Sequence, residues 1–198
     1  MPAVVAAVLS IFLFFAMTGA LVLVIVSLRR PTTLPLAVAG GLVVLSLLVV
    51  VVAPVDVPVI MGLVIALLGT ALAVLGGNPL TRRILQIATH DRVPDGANGG
   101  IMLDAHAAGV VGETGRPEEQ PTEVLRGGTT IGYLERLAVV VAIIAGYPEA
   151  IAVVVAVKGV GRFSELAAAE ARERFIIGTL SSLLWAWVVG ALVRSAIW

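Results

Sequence analysis

Three apolar runs open the chain, at 3–28, 34–53 and 57–76, with only short breaks between them. At 1.5 Å of helical rise per residue, 20 residues cover about 30 Å, the thickness of a bilayer's hydrocarbon. The breaks are Arg29-Arg30-Pro31 and Pro54-Val55-Asp56-Val57-Pro58. Proline ends one helix and can start the next, so the second break reads as a tight turn. Gly76-Gly77-Asn78-Pro79 is expected to stop the third helix in the same way. A soluble fold cannot absorb this much apolar text: 59% of the 198 residues are hydrophobic and only 13% are charged, against roughly 25% charged in soluble domains. The sequence therefore predicts an all-α polytopic membrane protein with about six hydrophobic segments. The first run lacks a basic segment before it and is long enough to span, so it reads as an uncleaved transmembrane helix, with cleavage near Gly19-Ala20 as the alternative.

A polar stretch follows at 78–129. It holds one short amphipathic helix, 80–89, with Leu80, Ile84, Leu85 and Ile87 opposed to Arg82 and Arg83. Glycine and proline then dominate. The apolar pieces 101–103 and 108–111 can pair as a small hairpin, and 112–124, with four glutamates, reads as a flexible acidic loop, so the stretch is expected to be partly disordered. Apolar text resumes at 130–146 and 148–160, broken at Gly146-Tyr147-Pro148. A charged helix at 164–174 then runs into a last span at 175–195. This divides the chain into a three-helix region, 1–77, a polar loop, 78–129, and a helical region, 130–198. With the N-terminus outside, every lysine and arginine except Arg194 falls on the inner side, out of 13 in all. That asymmetry predicts both termini outside and the 78–129 loop in the cytoplasm. The arms of the 130–160 hairpin are short for two full spans, so a re-entrant hairpin stands beside six ordinary helices.

The hairpin carries the chemistry. Glu135, Arg136, Glu149, Lys158 and Arg162 sit in or at the edge of otherwise apolar text, where an unpaired charge costs several kcal/mol. Centring an antiparallel pair on Tyr147 puts Glu135 and Lys158 at one depth, as ion-pair partners. Arg136 points about 100° away from Glu135 around the helix. Lys158 and Arg162 share a face, with Gly159 and Gly161 giving access to the backbone. These residues predict a small cationic pocket in which Arg136, Lys158 and Arg162 converge, positioned by Glu135 and suited to phosphate or carboxylate. The plainer reading is that the charges snorkel to headgroup level and hold two short helices together. Glu149, just after Pro148, either enjoys the helix dipole at a surface turn or, in a re-entrant hairpin, forms a deep ion or proton site.

Other signals are weaker. His90-Asp91, Asp95 and Asp104-Ala105-His106 have no specific metal spacing, and no cofactor motif is present. Cysteine is absent, which excludes thiol catalysis and Fe–S clusters. Zero formal net charge gives no reason to expect nucleic acid. Gly69 with Ala73, and Gly178 with Ser182, have the spacing of helix-packing faces. Trp185 and Trp187 are expected to pack inside, and Trp198 to sit at an interface.

The stretches Ile131-Gly132-Tyr133-Leu134-Glu135-Arg136, Ala156-Val157-Lys158 to Arg162-Phe163, and Ile177-Gly178-Thr179-Leu180 follow one another in an order that resembles a group of bacterial multi-pass inner-membrane proteins, known as a domain of unknown function. The resemblance covers about 127–182. It implies a bacterial inner-membrane location and a single module containing Glu135, Arg136, Lys158, Arg162, Gly178 and Thr179, and it implies no activity. The leading expectation is a non-enzymatic membrane component that binds anionic lipid headgroups, a small anion or a partner protein, including a second copy of itself. The alternatives are a small oligomeric transporter or channel, and an enzyme acting on a lipid-linked phosphate.

Overall fold

A computed structural model of the protein describes residues 2–28, 32–53, 57–89, 101–103, 122–124, 128–161 and 169–198. Six helices make up its body: α1 (Pro2–Ser27), α2 (Thr33–Val52), α3 (Val59–Thr89), α4 (Gly128–Ala145), α5 (Ala150–Gly161) and α6 (Ala169–Ile197). All but α5 are long and apolar enough to cross a membrane. The protein is thus an all-α polytopic membrane protein. Between α3 and α4, β1 (Ile101–Leu103) pairs antiparallel with β2 (Thr122–Val124). The partner of 101–103 is therefore 122–124, not 108–111, which lies outside the described residues.

Chain connectivity fixes the packing. The links 28–32 and 53–58 reach at most about 21 Å when fully extended, less than the length of α2, so α1, α2 and α3 run up and down in turn. α3 and α6 are antiparallel neighbours: Gly62 faces Ile197, Gly69 faces Val193, and Gly76 faces Trp185. α4 runs parallel to α6, with Arg136 level with Ser182 and Ile143 level with Gly190. Leu13, Met17, Ile65, Leu72, Val139, Val140, Val189 and Val193 fill the interior. Large apolar side chains such as Phe15, Leu48, Leu67 and Leu184 point outward instead, as helices in hydrocarbon allow. Trp185 is buried as expected, with Nε1 donating to the Leu72 carbonyl at 3.1 Å. Trp187 is not, and faces outward at 47% exposure.

The Gly-Gly-Asn-Pro stop is overridden. α3 runs through Pro79 for 31 residues and absorbs the 80–89 segment as its own continuation. Proline removes one backbone hydrogen bond, but in a packed membrane helix neighbouring side chains compensate. Just upstream, Trp185 and Arg136 donate to the Leu72 and Val74 carbonyls and tie this stretch of α3 to α6 and α4. Beyond Pro79, Arg83 Nε donates to Thr33 Oγ1 at 2.8 Å and ties the end of α3 to the start of α2. Arg174, expected on a solvated helix, is buried. Glu170's side chain lies outside the described residues.

Candidate functional site

The hairpin is built at its turn. α4 ends in a Schellman arrangement: the Tyr147 N–H donates to the Ala142 carbonyl at 2.8 Å and the Gly146 N–H to the Ile143 carbonyl at 3.1 Å. Gly146 takes φ +81°, the left-handed conformation this cap demands and glycine supplies without strain. Arg194 of α6 reaches the same end, with Nη1 3.4 and 3.3 Å from the carbonyls of Ile143 and Ile144. The cation left on the outer side by the sequence reading thus caps α4. Pro148 and Glu149 complete the turn, and α5 folds back along α4.

That return brings the predicted pair together. Lys158 Nζ donates to Glu135 Oε2 at 2.5 Å. The ammonium also lies 5.6 Å from the centroid of the Phe175 ring on α6, close enough for cation–π attraction. Glu135 is only 7% exposed, and its second oxygen, Oε1, is buried with no hydrogen-bond partner. Around the pair, α4 and α5 line a groove of about 670 Å³. Leu134, Ala138, Val153, Val154 and Val157 form apolar walls, and Glu135 and Lys158 are its charged pair near one end, with Ile131 and Gly161 beyond them. No residue of α5 is buried, so this helix stands at the edge of the bundle with one face open. Gly159 and Gly161 meet nothing within 4 Å of an added Cβ.

Arg136 does not join this pocket. The 100° between adjacent residues turns it away from the groove and into the bundle, where it is 2% exposed. Its guanidinium donates Nε to the Val74 carbonyl, Nη1 to Ser182 Oγ and Nη2 to Asn78 Oδ1, each at 2.8 Å. Tyr133 lies beneath it, 5.2 Å from Cζ to the ring centroid. Gly77 and Gly132 supply the space, since an added Cβ on either would meet the guanidinium. Arg136 is therefore a structural clamp between α4, α3 and α6, and the three-cation pocket is not formed as expected. Arg162 lies outside the described residues, as do His90, Asp91, Asp95, Asp104 and His106. Glu149 is exposed on the hairpin tip, beside exposed Tyr147 and Pro148, and not enclosed among α4, α5 and α6. The feature missed in the sequence is the groove. Its only signal was the run of valines in α5 with no matching small-residue face on α4.

The ion pair has a measurable consequence. Removing one member of a buried pair strands the other, which costs about 3–5 kcal/mol, whereas replacing both with apolar groups is often neutral. Lys158→Met is expected to lower unfolding stability in detergent by about 3 kcal/mol. Adding Glu135→Met should restore most of it. A double variant less stable than the single one would show that the two residues do not act as a pair.

The fold and the site together define an α-helical polytopic membrane protein with one open, polar-ended groove. Comparison of the chain with protein families, curated proteins and solved structures gives no match in any of the three.

Proposed function

We propose that the protein is a non-enzymatic membrane component that takes up the hydrocarbon chain of a membrane lipid between α4 and α5. The observation that carries this reading is the groove itself. Its volume of about 670 Å³ falls within the roughly 300–1,000 Å³ of small-molecule sites. Its walls are aliphatic, and its charged pair sits near one end, in the third turn of α4 and the last turn of α5. An amphiphile matches that division: chain along the walls, headgroup at the Glu135–Lys158 end. The pair occupies the hairpin end that the positive-inside argument assigns to the cytoplasmic face. Binding of a bare anion is less well supported, because Arg136 is committed to the bundle and Lys158 is already neutralised by Glu135. Glu149 is exposed at the hairpin tip, and the described residues build no enclosed site around it. An enzyme on lipid-linked phosphate would need a nucleophile or metal set, and among the described residues none is assembled beside the groove.

Photocrosslinking with a diazirine-labelled acyl lipid tests the proposal. Labelling is expected to concentrate in peptides from 131–138 and 150–158. Ala138→Trp and Val154→Trp, which fill the groove from either wall, should each reduce it at least fivefold. Labelling spread evenly over all outward-facing helices, and unaffected by either tryptophan, would overturn the proposal.

A further inference from the structure

We infer that the polar end of the groove selects a zwitterionic headgroup with a donatable ammonium, namely phosphoethanolamine, over anionic or quaternary headgroups. The inference rests on the lipid-chain reading above and adds the identity of the head. Its starting point is what the ion pair leaves unused. Glu135 is more than nine-tenths buried and lines the groove, yet Oε1 accepts no hydrogen bond. A buried acceptor left unmade costs about 1–3 kcal/mol, more for a charged group. Lys158 Nζ has three N–H donors, and among the described residues Glu135 Oε2 is its one hydrogen-bond acceptor. The pair beside the groove thus keeps an unmet anionic acceptor, closed to solvent, and a cationic donor with capacity to spare, and as a whole it is neutral.

The complement of such a site is a group carrying the same two functions in reverse. A phosphoethanolamine head places an ammonium within a few bonds of a phosphate. A turn of the Glu135 carboxyl group, whose terminal torsion is soft, lets the ammonium donate to its unmet oxygen, and a phosphate oxygen accepts from Lys158 Nζ. Four charges then alternate in sign and the assembly stays neutral, which matters where water is scarce. A phosphocholine head has no N–H and leaves Oε1 unmet. A phosphoglycerol head can donate a hydroxyl to Oε1, but it brings an uncompensated negative charge next to a buried carboxylate. The lining favours a lipid over the soluble head, because the walls beyond the pair are aliphatic and a free head would leave them empty.

Native mass spectrometry on the intact wild-type protein, offered an equimolar mixture of phosphatidylethanolamine, phosphatidylcholine and phosphatidylglycerol with identical acyl chains, tests this. Phosphatidylethanolamine is expected to be retained at least fivefold over phosphatidylcholine and threefold over phosphatidylglycerol. Glu135→Gln removes the negative charge and frees Lys158, so the preference should pass from phosphatidylethanolamine to phosphatidylglycerol. A residue with a merely structural role would not reverse the order. Excess soluble phosphoethanolamine should leave the lipid adduct in place, and its displacement would overturn the lipid as source. Equal retention of the three lipids, still abolished by Val154→Trp, would refute the headgroup assignment and leave the chain groove standing. Retention insensitive to Val154→Trp would refute both.

Discussion

Arg136→Leu is expected to lower the unfolding temperature in detergent by on the order of 10 °C, the largest effect of any single substitution in the bundle, taking about 2–4 °C per kcal/mol for a chain of this size. Leucine leaves three acceptors on two helices without their donor: the Val74 carbonyl, Asn78 Oδ1 and Ser182 Oγ. Hydrogen bonds in membrane proteins average about 0.6 kcal/mol by double-mutant cycle, with a maximum near 1.7. Three of them therefore account for about 2 kcal/mol. The rest comes from the space vacated beside Gly77 and Gly132. Arg136→Lys should fall between wild type and Arg136→Leu, because a single ammonium cannot reach three acceptors held in a planar fork. A shift below ~2 °C for Arg136→Leu, under about 1 kcal/mol, would mean that the clamp does not hold the helices together.

Gly77→Ala and Gly76→Ala are each expected to destabilise by about 2 kcal/mol, in the range for overpacking a tight core. Helix propensity alone predicts the opposite sign, a gain of up to about 1 kcal/mol for alanine over glycine. The contest is decided by distance. A Cβ on Gly77 would stand 2.5 Å from Arg136 Nε, and one on Gly76 2.6 Å from Trp185 Nε1. Neither neighbour can swing aside without breaking a hydrogen bond to α3. Gly40→Ala is the control: nothing lies within 4 Å of its added Cβ, so it should be neutral or slightly stabilising. If the Gly77 effect arises from the guanidinium, it should vanish in the Arg136→Leu background. Thermal unfolding of the four proteins in that cycle, together with Gly40→Ala, checks the argument. A Gly77→Ala protein as stable as wild type would contradict the close approach.

The six helices were legible because apolar run length and proline position are local properties. So was the Glu135–Lys158 pair: an antiparallel return fixes depth by counting from the turn, and Gly146-Tyr147-Pro148 marks the turn unambiguously. Pro79 misled because an interior proline is tolerated in a packed membrane helix, and the packing of α3 comes from α4 and α6, which are distant in sequence. Arg136 misled for a related reason. Its direction relative to Glu135 followed from helical geometry, but its destination depended on Gly77, 59 positions earlier in the chain, and on Gly132 opening a space of the right shape. The expected site lost Arg136 to the bundle and kept the Glu135–Lys158 pair, and the groove beside that pair became visible only once α5 was seen to leave all its residues unburied.

That last property governs how the hairpin can move. In water, a 12-residue helix with one neighbour would fray from its ends. In hydrocarbon it cannot, because each unwound peptide would expose polar groups at several kcal/mol apiece. α5 therefore behaves as a stiff lever with the Gly146–Glu149 turn as its fulcrum. A few degrees of rotation there would change the gap at the Glu135 end far more than at the tip, and the Lys158–Glu135 contact is what spans that gap.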